Sequence, residues 1–222
     1  MITCPNCGKL TKEQIELYNQ NLRKQNFSHS PILPICKCCH SVVRISHKCH
    51  SGKILVLTGT CGSGKSTVAE ILAQKGFSAI DGDCAIQAAR FKRNGESVDY
   101  REALDEIAYE IDVLSMYSQN LVLAAVVHPD DMKKYKEILE ARNLQYKFIL
   151  LKPSFQAAMV RCQTRTCHKS VTPEYWINYF YDLLQYDDEV KIVDNTNMTA
   201  EETAEYIMQH FGANLAKEAL GK

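Results

Sequence analysis

Eight consecutive residues limit what this chain can fold into more than any other part of it. Gly59-Thr60-Cys61-Gly62-Ser63-Gly64-Lys65-Ser66 satisfies Gly-x-x-x-x-Gly-Lys-Ser/Thr at every fixed position. A short apolar run over 54–57 precedes it and a helical pattern over 64–75 follows. A glycine-rich turn that only joins strand to helix has no need of all these constraints at once. The glycines let the backbone curl until its N–H groups point inward, as a phosphate requires. The helix that starts there adds the positive end of its dipole. Lys65 is placed to reach the outer phosphates of ATP, and the Ser66 hydroxyl to take a position on Mg²⁺. Thr60, Cys61, Ser63 and Thr67 complete the cradle expected around the nucleotide.

The pattern after this loop alternates between the two regular structures. Strands are expected over 77–80, 121–127, 146–151 and 191–193. Helices are expected over 84–93, 100–117 and 130–142, after Pro153, and from Thr172-Pro173, where Thr caps and Pro opens the first turn. Thr199 and Glu202 have the spacing of a capping box for a last helix. Strands that alternate with helices give an α/β fold, a parallel sheet covered on both faces.

The strand at 77–80 runs into Asp81-Gly82-Asp83. Residues two apart in extended chain face the same side. Both carboxylates therefore project at the edge of the sheet where ligands of open α/β sheets bind. One suits the Mg²⁺ shell, and the other can accept the proton of an attacking hydroxyl. Asp-Gly is also a common turn dipeptide, which is the plainer reading of the pair. The run at 121–127 ends without an acidic residue, which gives more weight to the Asp81 and Asp83 pair. Arg161 and Arg165 lie four apart on one helix and share a face, as cations that close over phosphates would. Arg90 and Arg93 follow the second strand and suit an anionic acceptor, though exposed helical arginines are the common case.

This order of phosphate loop, Asp-Gly-Asp after the second strand and arginine-bearing segment over 161–172 resembles the P-loop small-molecule kinases. These include the gluconate, shikimate, adenylylsulfate and chloramphenicol kinases, and the likeness covers about 53–212. The resemblance implies a P-loop kinase domain over 51–222 with a lid near 161–172. It implies that Asp81 and Asp83 contact acceptor and metal, with Asp83 as the base, and that Arg161 and Arg165 act in the lid. It also implies that the polar loop Asp194-Asn195-Thr196-Asn197 lies beside the adenine.

Residues 1–50 read differently. Through residue 53 there are eight Lys and Arg against two Glu, a net +6, while the chain as a whole is neutral and the rest is therefore −6. Six of the ten cysteines fall before residue 50. Cys4-Pro5-Asn6-Cys7-Gly8 and Cys36-Lys37-Cys38-Cys39 supply two pairs with the spacing that holds tetrahedral Zn²⁺. The expected ligands are Cys4, Cys7, Cys36 and Cys39, with Cys38, His40, His47, Cys49 and His50 as alternatives for the second pair. The module resembles a zinc ribbon or treble clef, with Thr11 and Gln14 capping a helix in its spacer. Its charge suits nucleic acid, and equally a contact with the acidic remainder of the chain.

No run of apolar residues approaches the length that spans a bilayer, and the chain is expected to be soluble and cytoplasmic. The function expected is transfer of the γ-phosphoryl group of Mg-ATP to a hydroxyl of a small-molecule acceptor. Two alternatives stay open: a 5′-hydroxyl polynucleotide kinase, and a nucleotide-binding regulatory protein without transfer activity. Cys61 and Cys84 flank the expected site and form a candidate redox pair, or are two small buried residues.

Overall fold

A computed structural model describes residues 2–4, 8–9, 44–45, 52–92, 100–115, 118–164 and 173–212. Its main element is a five-stranded parallel sheet whose strands lie side by side in the order Ser78–Asp81, Asn120–Ala124, Gly52–Thr58, Leu144–Leu151 and Lys191–Val193. The strands are β4 (Gly52–Thr58), β5 (Ser78–Asp81), β6 (Asn120–Ala124), β7 (Leu144–Leu151) and β8 (Lys191–Val193). The helices are α1 (Lys65–Gln74), α2 (Gly82–Lys92), α3 (Tyr100–Leu114), α4 (Met132–Glu140), α5 (Phe155–Thr164), α6 (Pro173–Leu183) and α7 (Ala200–Ile207). The expected α/β architecture is therefore present.

Strand β4 lies at the centre, and Ile54 through Leu57 are fully buried. Its side chains alternate between two cores, as the pleat requires. Ile54 and Val56 pack with Ile80, Leu123 and Phe148 beneath Ile107 and Ile111 of α3 and Tyr135 and Leu139 of α4. Leu55 and Leu57 face the other side, with Val68 and Leu72 of α1 and Ala204 and Ile207 of α7. A strand buried on both faces reads as a continuous apolar run, which is how 54–57 reads in the sequence.

The apolar run after residue 120 is longer than its strand. The ladder stops at Ala124, yet Ala125 and Val127 remain buried. The Thr58 hydroxyl accepts the Val127 N–H at 3.0 Å, and the Tyr186 hydroxyl donates to the Val127 carbonyl. Burial pushes that tyrosine up to about 12, so it stays a proton donor at neutral pH. Side chains thus satisfy backbone groups that a longer strand would have paired. The helix expected over 130–142 begins as a 3-10 turn, Pro129–Asp131, whose first free N–H is taken by the His128 ring. The capping box of α7 is formed: Glu202 N–H donates to Thr199 Oγ1 at 3.1 Å, and Thr199 N–H to Glu202 Oε2 at 2.8 Å.

Near the start of the chain, β1 (Ile2–Cys4), β2 (Gly8–Lys9) and β3 (Arg44–Ile45) make a separate antiparallel sheet in the order β2-β1-β3. The β1–β2 register pairs Cys4 with Gly8. β3 approaches α3. Cys7, Cys36 and Cys39, and the helix expected after Thr11, lie outside the described residues. Among the described residues no cluster of His, Cys, Asp or Glu is arranged to hold a metal ion, and no helix is long and apolar enough to cross a membrane.

Candidate functional site

The loop between β4 and α1 is held by its glycines. Gly59, Gly62 and Gly64 all have positive φ, at 147°, 74° and 92°. At Gly62 a side chain is excluded twice over, because a Cβ would lie 2.2 Å from the carbonyl oxygen of Ala158 on α5. The loop is thereby pressed against α5. Ser63 N–H closes it onto the Thr60 carbonyl at 3.2 Å.

Helix α1 starts without a side-chain cap and without an acidic residue in its first turn. A helix N-terminus normally needs such groups for its unpaired N–H donors. Left uncapped, the donors and the dipole together form an anion site. The Thr60 and Ser63 hydroxyls are buried and lack a hydrogen-bond partner among the described residues. Thr67 is exposed two residues into α1.

Lys65 folds back over this loop and donates to the carbonyls of Gly59 at 2.8 Å and Thr60 at 3.0 Å. Burial lowers its pKa, against the opposing charges of Cys61, Asp83, Asp81 and Cys162. Both expected carboxylates are therefore within electrostatic reach of the loop lysine.

Asp81 and Asp83 differ in setting. Asp81 ends β5, opposite Ala124 of β6. Its carboxylate caps α2, accepting the Asp83 N–H at 2.9 Å and also the Cys84 N–H, and it accepts the Ser66 hydroxyl. Ser66 and Asp81 thus meet where β5 faces the start of α1. Burial raises the Asp81 pKa, the Asp83 charge adds to this, and the hydrogen bonds oppose it. Asp83 is exposed in the first turn of α2.

A raised native pKa has a definite consequence for the metal-free protein. Above the ordinary 3.8 of an aspartate, the native state holds a proton at Asp81 that the unfolded chain has released. Stability contributed here falls as pH rises from that value through the native pKa. The stability of wild type relative to Asp81→Asn, measured by urea unfolding in chelator, is expected to decline over this window and then level off. A difference independent of pH would show that Asp81 is not perturbed.

The other wall comes from after β8. Asn195 is buried and donates from Nδ2 to the Ser63 carbonyl at 3.0 Å, while its Oδ1 is buried without a partner among the described residues. Arg161 of α5 donates to the carbonyls of Asn195 at 2.8 Å, Met198 at 3.2 Å and Thr196 at 3.3 Å. The guanidinium expected over the phosphates thus grips the loop expected beside the adenine. Of the expected lid, 161–164 belong to α5 and 165–172, Arg165 included, lie outside the described residues, as does Arg93; Arg90 is exposed on α2.

Sequence reasoning missed three further features. Asn195 clamps the phosphate loop from a distance. Cys61 packs into a cluster with Cys162 of α5, Ala158 and Ile177. On α6, Tyr175, Trp176 and Tyr179 are exposed, and Trp176 stacks on Phe180 at 5.7 Å. Phe180 and Tyr181 share a cleft with Thr60 and Lys152. The aromatic run 175–181 was the available signal for this last feature.

No family model matches the chain. A dephospho-CoA kinase of Staphylococcus saprophyticus is 26% identical over 162 residues, covering 68% of this chain and 73% of that protein. Among solved structures, the tunicamycin resistance protein of Deinococcus radiodurans superposes with a TM-score of 0.57 at 20% identity, over 72% of this chain and 96% of that one. A gluconokinase from Sinorhizobium meliloti 1021 gives 0.53 at 21% identity, over 78% and 95%. The fold is that of the P-loop small-molecule kinases. The curated relatives that the chain matches are kinases.

Proposed function

We propose that this chain is an ATP-dependent phosphotransferase that moves the γ-phosphoryl group of ATP to a hydroxyl of a small molecule. The observation that carries the reading is the meeting of Ser66, Asp81 and Asp83 beside Lys65 at the uncapped start of α1. The oxygen donors of Ser66 and Asp81 suit Mg²⁺, which they would hold. When bound, the ion neutralises charge on the phosphates. Lys65 leaves the Gly59 and Thr60 carbonyls for the outer phosphates. Asp83, exposed one turn from the metal position, accepts the proton of the acceptor hydroxyl. Arg161 fixes the base-side loop, and Arg165 serves the phosphates from the lid.

The relatives' name points to an acceptor that carries a nucleotide, and the gluconokinase neighbour to a sugar acid. Exposed Trp176 and Tyr179, on the helix after the lid, offer a flat ring a stacking surface and favour the former. ADP release should be measured with sugar acids, nucleosides, dephosphorylated nucleotide cofactors and 5′-hydroxyl oligonucleotides. One acceptor class is expected to stimulate it. Asp83→Asn is expected to lower acceptor-dependent turnover by roughly 10²–10⁴-fold while ATP binding persists. Equal stimulation in the variant would remove Asp83 as the base, and no stimulation by any acceptor would favour a regulatory nucleotide binder.

The N-terminal residues are read as a structural zinc module over 1–50 that braces the kinase domain. The antiparallel pairing of Cys4 with Gly8 supports this, since it brings together the two strands between which the Cys4-x-x-Cys7 sequence runs. The purified chain is expected to carry one zinc per molecule, and Cys4→Ser to lose it. A metal-free wild type with unchanged stability would exclude the module.

A further inference from the structure

Cys61 and Cys162 are distant in sequence and adjacent in the fold. Cys61 lies in the phosphate loop and is partly exposed, Cys162 is buried on α5, and neither is in a disulfide. The missing Cβ of Gly62 would stand 3.0 Å from the Cys162 sulfur. Consecutive Cα atoms are about 3.8 Å apart, so that sulfur lies within roughly 8 Å of the Cys61 Cα. A disulfide needs Cα atoms about 4.4–6.8 Å apart, so linkage requires the loop to bring Cys61 onto α5 at Cys162. Both side chains belong to one apolar cluster with Ala158 and Ile177, and both lie within electrostatic reach of Lys65. Cys84 is on α2, outside that cluster.

We propose that Cys61 and Cys162 form a redox-active dithiol, modified by low-molecular-weight disulfides such as oxidised glutathione, and that the resulting crosslink closes the phosphate loop to nucleotide. The Cys61 thiolate attacks one sulfur of oxidised glutathione, and one glutathione leaves as thiolate. Cys162 then attacks the Cys61 sulfur of the mixed disulfide and releases the second glutathione. The two protein thiols give up two electrons and two protons, and glutathione disulfide becomes two thiols. The crosslink ties the loop to the helix whose Arg161 already grips the Asn195 loop, so the N–H groups around Gly62 can no longer turn onto a phosphate. Crosslinking needs no kinase activity. Its consequence rests on the reading of the loop as the ATP site.

The test treats the full-length protein with graded ratios of oxidised to reduced glutathione, blocks the remaining thiols and maps peptides by mass spectrometry. The expected product links 61 to 162. Binding of a fluorescent ATP analogue is expected to fall in proportion to the linked fraction and to return with dithiothreitol. Mg-ATP is expected to slow the linkage. Cys162→Ser and Cys162→Ala should bind ATP when reduced and accumulate glutathione on Cys61 without a crosslink. If neither variant folds, the wild-type map and its reversal decide. A Cys61–Cys84 link, no modification at Cys61, or linked protein that binds ATP as before would each overturn the proposal. The state of the thiols is read without turnover, so a failure of the acceptor reading leaves this result interpretable.

Discussion

Lys65→Ala is expected to lower ATP turnover by about 10²–10³-fold, the loss that follows removal of one preorganised donor from developing charge. The expectation comes from what Lys65 does in the nucleotide-free loop. Its ammonium donates to the Gly59 and Thr60 carbonyls, at 2.8 and 3.0 Å. Burial disfavours its charge, and the acids around it oppose that. A phosphate entering the loop offers it a full anion in place of two carbonyl dipoles. The cation therefore exchanges those two carbonyls for the phosphate when the ligand binds, and from there it faces the charge that develops in the reaction. Turnover should be measured beside thermal unfolding, because the variant also frees two loop carbonyls. Unchanged turnover in a folded Lys65→Ala protein would show that the lysine does not serve the transferred group.

The second large effect concerns stability. Arg142 donates from Nε and Nη2 to the two oxygens of Asp112, at 2.8 and 2.9 Å, and from Nη1 to the Ile138 carbonyl at 3.0 Å. Both residues are buried, at 8% and 3% exposure. The pair joins the end of α3 to the turn that follows α4. Removing one partner of a buried ion pair leaves the other charge in a low-dielectric site without its counter-ion. Arg142→Ala is therefore expected to cost about 3–5 kcal/mol, a fall in melting temperature of roughly 6–20 °C for a chain of this size. A double variant that replaces both residues with apolar side chains of similar volume should recover most of this. A loss below 1 kcal/mol in Arg142→Ala, measured by urea unfolding, would mean that water reaches Asp112.

The phosphate loop and the order of strands and helices were legible because their signals are local. Gly59 through Ser66 are contiguous, and Ile54 through Leu57 read as a short apolar strand. The clamp on the loop was not legible. Asn195 reaches Ser63 across 132 positions, and no spacing rule links the two. The Arg161 and Arg165 spacing gave a shared helix face but not what that face meets, and at Arg161 it meets backbone carbonyls. The apolar run ending at Val127 read as strand throughout, because burial and strand pairing give the same residue pattern. There the Thr58 and Tyr186 hydroxyls take over the role of a neighbouring strand. The short strands near the start have two or three residues each, too few for any periodicity to show.

The order of strands also bears on how the protein is made. β4 leaves the ribosome first among the five strands of the main sheet, yet it pairs only with β6 and β7. No hairpin is available to shelter it. At about 5–20 residues per second, the roughly 60 residues between Thr58 and Asn120 take some 3–12 s to synthesise. For that interval the strand whose residues Ile54 through Leu57 are fully buried in the finished sheet has no partner. Nascent chains are therefore open to chaperones that bind extended apolar segments, and synonymous codons between β4 and β6 that slow translation should lower the yield of folded enzyme.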